Sequence, residues 1–155
     1  MPEITLQEVI DQAILREEKA FAFYNKLMDS VADTVSQDTL AFIAKEELKH
    51  KEILERYARG ELGQEALSLR EVVDTRVVEA LGSPEVTERL DQKDIFLVAA
   101  EREKASHEFY MHLAALQPEG ELKKLLSKLA QEELAHKEKA EYLYCNAAFP
   151  QTDGG

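Results

Sequence analysis

Glutamate inside the apolar stripe of a helix is costly, and this sequence places it there four times in an arrangement that repeats. Glu17, Glu47 and His50 return as Glu103, Glu133 and His136, each 86 residues later. The correspondence extends beyond these six positions. Glu46-Glu47-Leu48-Lys49-His50-Lys51-Glu52 aligns with Glu132-Glu133-Leu134-Ala135-His136-Lys137-Glu138, and Ala13, Phe23 and Tyr24 align with Ala99, Phe109 and Tyr110. The helix starts correspond too, since Thr5 and Glu8 form a capping-box pattern and Asp91 and Asp94 take the same places in the second copy. A period kept across positions of such different chemistry is an internal duplication, so the chain is built of two related helix pairs.

Four stretches keep a helical period. In the first, Leu6, Ile10, Ala13, Glu17, Ala20, Tyr24, Leu27 and Val31 alternate spacings of four and three, the inward seam of a bundle helix. The second opens near Ser36 as its expected cap, runs through Leu40, Ile43, Glu47, His50, Leu54 and Tyr57, and stops at Gly60. The third follows Phe96, Ala99, Glu103, Ser106, Tyr110 and Leu113, and the fourth follows Leu126, Leu129, Glu133, His136, Ala140 and Leu143. All six repeated polar residues therefore point inward.

Short links around residues 33–35 and at Gln117-Pro118-Glu119-Gly120 make each pair an antiparallel hairpin. The stretch between the pairs, about 61–90, can run the roughly 36 Å height of a helix of about 24 residues and return the chain to the other end. The expected fold is all-α: a four-helix bundle of two antiparallel pairs, about 5–60 and 91–149, joined by one long crossover in a single domain over 1–149. Short helices are expected in the crossover, where Leu67, Val72, Val73, Val77, Val78 and Leu81 are apolar before Gly82 and Ser83-Pro84-Glu85 reads as a fresh helix start. The tail 150–155 is expected to be disordered.

Charge narrows the function classes. Acidic residues outnumber basic ones 31 to 19, a formal charge of −12, which repels phosphate backbones and anionic lipid and attracts cations. Nucleic acid and membrane are thus not expected partners. No apolar run approaches the roughly 20 residues of a transmembrane helix, and Met1-Pro2-Glu3-Ile4-Thr5 lacks the basic and apolar regions of a signal peptide. A cytoplasmic location is expected. Cys145 is the only cysteine, which excludes an internal disulfide and any CxxC motif.

Four carboxylates in a dry core would each cost several kcal/mol even after relaxation, and they repel one another. No Lys or Arg stands on the seams at these heights, because Arg16, Lys19, Lys45, Lys49, Arg102, Lys104 and Lys137 all fall off them. Two divalent cations would balance four glutamates and leave two neutral imidazoles as further donors. Within each pair, Glu-x-x-His puts both side chains on one helix face. Oxygen and nitrogen donors without sulfur suit iron or manganese better than structural zinc, so a pair of such divalent ions is expected, with zinc as a substitute. An isolated Glu or His on such a stripe is usually a surface residue or a core histidine, but six in duplicate on four helices are not.

The pattern Ala13-x-x-x-Glu17-x-x-Ala20-x-x-Phe23-Tyr24, then Glu46-Glu47-x-x-His50, repeated in full, resembles the rubrerythrin branch of the ferritin-like di-iron carboxylate proteins, a known template of one Glu from each of two helices and Glu-x-x-His from each of the other two. The resemblance implies a ferritin-like bundle in which Glu47 and Glu133 bridge the metals and Glu17, Glu103, His50 and His136 are terminal ligands. It also implies reduction of hydrogen peroxide or dioxygen at two iron ions, with electrons from an external donor such as a rubredoxin. Two features depart from the branch. Rubrerythrins carry a further carboxylate three residues after the third-helix Glu, where this sequence has Ser106, and a cysteine-rich rubredoxin module that this sequence lacks. Ferroxidation and iron storage, or a metal-stabilised bundle without catalysis, remain alternative readings. A homo-oligomer is expected, with helix pairs able to exchange between chains as a swapped dimer.

Among the remaining residues, Tyr24 and Tyr110 lie two turns beyond Glu17 and Glu103 on the same seams, placed to hydrogen-bond a ligand carboxylate. His107, four residues after Glu103, aligns with Phe21 and lies off the seam, so its expected role is not metal binding. His112 is expected at the surface. Cys145 is expected to be a small buried side chain.

Overall fold

A computed structural model describes residues 5–61, 74, 76–82 and 91–149. Among them are five helices and no strand: α1 (Leu6–Met28), α2 (Thr34–Ala58), α3 (Val77–Leu81), α4 (Gln92–Ala115) and α5 (Glu121–Ala148). The chain divides into two compact units, Met1–Leu67 and Ser68–Gly155. In the first, α1 packs on α2; in the second, α4 packs on α5.

In the first unit the capping box forms as its sequence requires. The Thr5 hydroxyl accepts from the Glu8 amide at 3.2 Å, and the Glu8 carboxylate accepts from the Thr5 amide at 2.7 Å. The start of α2 differs from expectation. Asp33, not Ser36, is its cap, and its carboxylate accepts from the Ser36 amide at 2.8 Å. Two capping residues stand three apart here, and the earlier, charged one interacts better with the positive end of the helix. At the far end Gly60 takes the left-handed conformation at φ 73°, and the amides of Gly60 and Glu61 donate to the carbonyls of Tyr57 and Arg56. This is a Schellman closure, which needs a residue without a Cβ penalty.

The hairpin runs antiparallel, since Gln37 donates to the Val31 carbonyl beside the turn while His50 meets Glu17 far from it. Its interior holds Ile10, Ala13, Ala20, Tyr24 and Leu27 from α1 and Leu40, Ile43, Ala44 and Leu54 from α2. Each large aliphatic side chain buried there contributes about 1.5–3 kcal/mol. Leu6, the first residue of the expected seam, is instead exposed, lying in the turn next to the cap, and Tyr57 is half-buried.

The second unit repeats the plan with changes. Asp91 caps α4 by position, but its side chain makes no capping hydrogen bond, unlike Thr5. Ile95, Phe96, Ala99, Ala100 and Tyr110 of α4 are buried with Leu125, Leu126, Leu129, Ala130 and Ala140 of α5. His107 meets Ala130 nearer the turn and Glu103 meets His136 one turn further away, the order an antiparallel pair imposes. The short helix α3 occupies one of the apolar stretches expected in the crossover, with Val78 buried and Gly82 at φ 74° ending it. Leu67, Val72, Val73, Ser83-Pro84-Glu85 and the tail 150–155 lie outside the described residues. No helix among those described is long and apolar enough to cross a membrane.

Candidate metal centre

Each unit carries one half of the expected ligand set, and each half is assembled by the same helical geometry. In the first, α1 supplies Glu17 from the middle of its seam and α2 supplies Glu47 and His50 from one face, three residues apart. Their ligating atoms lie within 4.8 Å of one another, and His50 Nδ1 stands 3.6 Å from Glu17 Oε1. In the second, α4 supplies Glu103 and α5 supplies Glu133 and His136, again within 4.8 Å. His136 Nδ1 is 3.7 Å from both Glu103 Oε2 and Glu133 Oε2. All six residues are buried, none more than 7 % exposed. Burial of the seam glutamates, the costliest expectation from sequence, is therefore realised at every position.

Separations of 3.6–3.7 Å are too long for hydrogen bonds and close to the ~3–3.6 Å expected between two donors that each sit about 2.1 Å from a common ion. Two carboxylates and one imidazole per half balance one divalent cation without residual charge, and a donor set without sulfur matches iron or manganese. The residues present fit the metal.

Electrostatics in the second half point the same way. Burial pushes the Glu103 carboxyl up to about 8, helped by the negative charge of Glu133 and a hydrogen bond shared with it, against the opposing pull of His136. Two carboxyl groups this close and this dry cannot both ionise without a cation, so in its absence they hold a proton between them. A bound divalent ion takes the proton's place and leaves both as carboxylates.

Tyr24 and Tyr110 are fully buried on the seams of α1 and α4, each in edge-to-face contact with the preceding Phe23 or Phe109 at about 5 Å between ring centres. His107 Nδ1 donates to the Ala130 carbonyl at 2.7 Å, tying α4 to α5. His112 is exposed in the last turn of α4. Cys145 is half-exposed rather than buried, because the last turns of α5 past Glu141 are only partly covered.

Seam counting missed Lys137. Off the seam as expected, it is nonetheless 1 % exposed, with its ammonium 2.6 Å from Asp74, 2.9 Å from Glu79 and 3.1 Å from Glu141. Burial alone would lower its pKa, but the hydrogen bonds to Asp74, Glu79 and Glu141 outweigh that and hold it above its ordinary value, so it is a charged side chain. A signal existed in the spacing Lys137-x-x-x-Glu141, although Lys51-x-x-x-Glu55 shows the same pattern at the half-exposed equivalent.

A model of the Rubrerythrin family matches residues 6–144. It spans all four long helices, and its domain is the ferritin-like di-iron carboxylate type, in agreement with the all-α architecture and the buried acid and histidine clusters. No match was found among curated proteins or among solved structures.

Proposed function

This chain belongs to the rubrerythrin family, and from that membership we propose that it is a di-iron oxidoreductase that reduces hydrogen peroxide or dioxygen with electrons from an external donor. The observation that carries this reading is the burial, twice over, of two glutamates converging with a histidine. Such a cluster is a liability to the metal-free fold, and its retention in duplicate is accounted for by a pair of ions.

In the proposed arrangement Glu17, Glu47 and His50 would hold one ion and Glu103, Glu133 and His136 would hold the other. When bound, the two ferrous ions supply the electrons and the Lewis acidity of the reaction. The chain's own residues do the rest. Both half-sites sit among buried apolar side chains, Ile43 and Leu54 in the first and Leu129 and Ala130 in the second, which exclude water and strengthen every charge interaction inside. Glu103, whose carboxyl holds a proton up to about pH 8 in the metal-free protein, gives it up when a cation binds. The Tyr24 and Tyr110 hydroxyls are proposed to hydrogen-bond ligand carboxylates and fix their orientation.

The reading extends to a cytoplasmic homo-oligomer, with a swapped dimer as one form, served by a small electron carrier such as a rubredoxin. The strongly acidic composition supports a cation-attracting surface and argues against nucleic acid or anionic lipid as partners. Rapid anaerobic mixing of the ferrous protein with peroxide, and separately with dioxygen, tests it. A fast absorbance change with at least one oxidant, and turnover when a reductant is added, is expected. No change with either removes the reading, and a hollow shell holding a mineral core would replace it with iron storage.

A further inference from the structure

On α5, Glu133, Lys137 and Glu141 stand at intervals of four, a single row along one side of the helix, and all three are buried. The first is a proposed metal ligand. The other two hold the segment that contains α3. Lys137 bonds Asp74 at 2.6 Å and Glu79 at 3.1 Å, and the Glu141 carboxylate accepts the Val78 amide at 2.7 Å across 63 residues of sequence. That last bond does the work of a missing cap. Arg76 precedes α3 in the left-handed conformation at φ 55° and contributes no capping side chain, and a helix of five residues does not persist in water unaided. Lys137 and Glu141 therefore help to hold the segment, alongside the burial of Val78.

We propose that Lys137 is a positioning residue that couples docking of Asp74 and α3 to metal occupancy of the Glu103, Glu133 and His136 half-site, which rests on the metal-binding role proposed above. One rotation of α5 about its axis sets the whole row: the orientation that brings Glu133 and His136 towards Glu103 also presents Lys137 and Glu141 to Asp74, Glu79 and Val78. An ion that fixes the first therefore favours the second, and by linkage the docked segment favours the ion by the same factor. The equivalent row in the first unit differs. Lys51, the equivalent residue in the first unit, pairs with Glu18 at 3.3 Å on a partly exposed surface.

The Val78 amide reports the latch directly, because its hydrogen exchange requires the bond to Glu141 to open. Exchange at Val78 would be followed by NMR in the full-length protein with and without zinc(II), a redox-inert probe, and zinc affinity measured by competition in wild type, Lys137→Met, Lys137→Arg, Asp74→Asn and Lys51→Met. Expected are two zinc ions per chain, slower Val78 exchange with zinc by about tenfold, and a loss of affinity of about the same factor in Lys137→Met, within the usual range of about 5–150-fold for coupled sites. Lys137→Arg should restore most of it, Asp74→Asn should show a smaller loss, and Lys51→Met none. If Lys137→Met fails to fold by circular dichroism, Asp74→Asn decides. Wild type that binds two ions with Val78 exchange unchanged, or a folded latch variant that binds as wild type does, overturns this coupling alone. Wild type that takes up no metal overturns the metal-binding role and the coupling with it.

Discussion

The two helix pairs carry the same ligands at the same heights but are not equally finished. In the first, the lysine next to the ligand histidine is Lys51, which reaches Glu18 at a half-exposed surface. In the second it is Lys137, sealed under Asp74, Glu79 and Glu141. Duplication fixed what the core needs, the acids and histidines of the seam. The non-duplicated stretch between the pairs covers one flank, so the lysine there is buried where its equivalent is partly exposed. Ligand identity follows from the repeat, whereas what surrounds the ligands depends on a segment that has no repeat.

The hardest test of that comparison is to remove one equivalent ligand from each half. Glu47→Ala and Glu133→Ala should each lower bound iron from about two ions per chain to one or none, measured by metal analysis after anaerobic loading; an asymmetric outcome would show that the halves are not equivalent ligand sets. Next in size is the cost of the flanks. Lys137→Met leaves the buried Glu141 without its cation, and Glu79 with only Arg76 at 3.8 Å, and should destabilise the metal-free protein by about 3–5 kcal/mol in urea unfolding. Lys51→Met removes an exposed pair and should cost about 0–1 kcal/mol. Similar losses for both would erase the distinction between the two flanks.

The pH dependence comes next. A folded-state carboxyl raised to about 8 binds more protons in the native than in the unfolded protein between its ordinary value near 4.5 and 8, so the metal-free protein loses stability as pH rises through that window. Loading with a divalent ion removes the effect, because the cation takes the proton's role. Melting temperatures from pH 5 to 8 should therefore fall in the metal-free protein and stay nearly level in the loaded one. A smaller effect of opposite sign belongs to Glu133→Gln, which relieves the repulsion on Glu103. It should raise the metal-free Tm by a few degrees while weakening metal binding, a trade of function for stability. The smallest effect concerns the helix starts: Asp33→Ala removes a real cap and should cost about 1 kcal/mol, whereas Asp91→Ala, without a capping bond to lose, should cost less.

What was legible in the sequence was whatever depends on period. The seams, both hairpins, the Gly60 stop and the burial of all six ligand candidates follow from residues three, four or 86 apart. What was not legible depends on contacts with no fixed spacing. Nothing near Lys137 announces that Asp74 and Glu79 arrive from 63 and 58 residues away, and seam counting sorts residues by helix face alone, so an off-face lysine reads as solvated. The cap of α2 failed for a different reason: Asp33 and Ser36 are both competent, and the choice between them rests on about a kcal/mol of helix-end electrostatics. Cys145 is only partly covered because α5 outruns the surface that buries its earlier turns.

The bond from His107 to the Ala130 carbonyl touches no proposed ligand, yet it sets a constraint on the second pair. Sliding α5 along α4 by one helical turn would shift Glu133 and His136 by about 5.4 Å, carrying them away from Glu103. A ring nitrogen anchored to a backbone oxygen resists that slip in a way that apolar contacts, which tolerate translation, do not. Phe21 stands at the matching place in the first pair and has no ring nitrogen to offer. Axial alignment of the second pair is thus keyed by a directional bond that position 21 cannot supply in its twin.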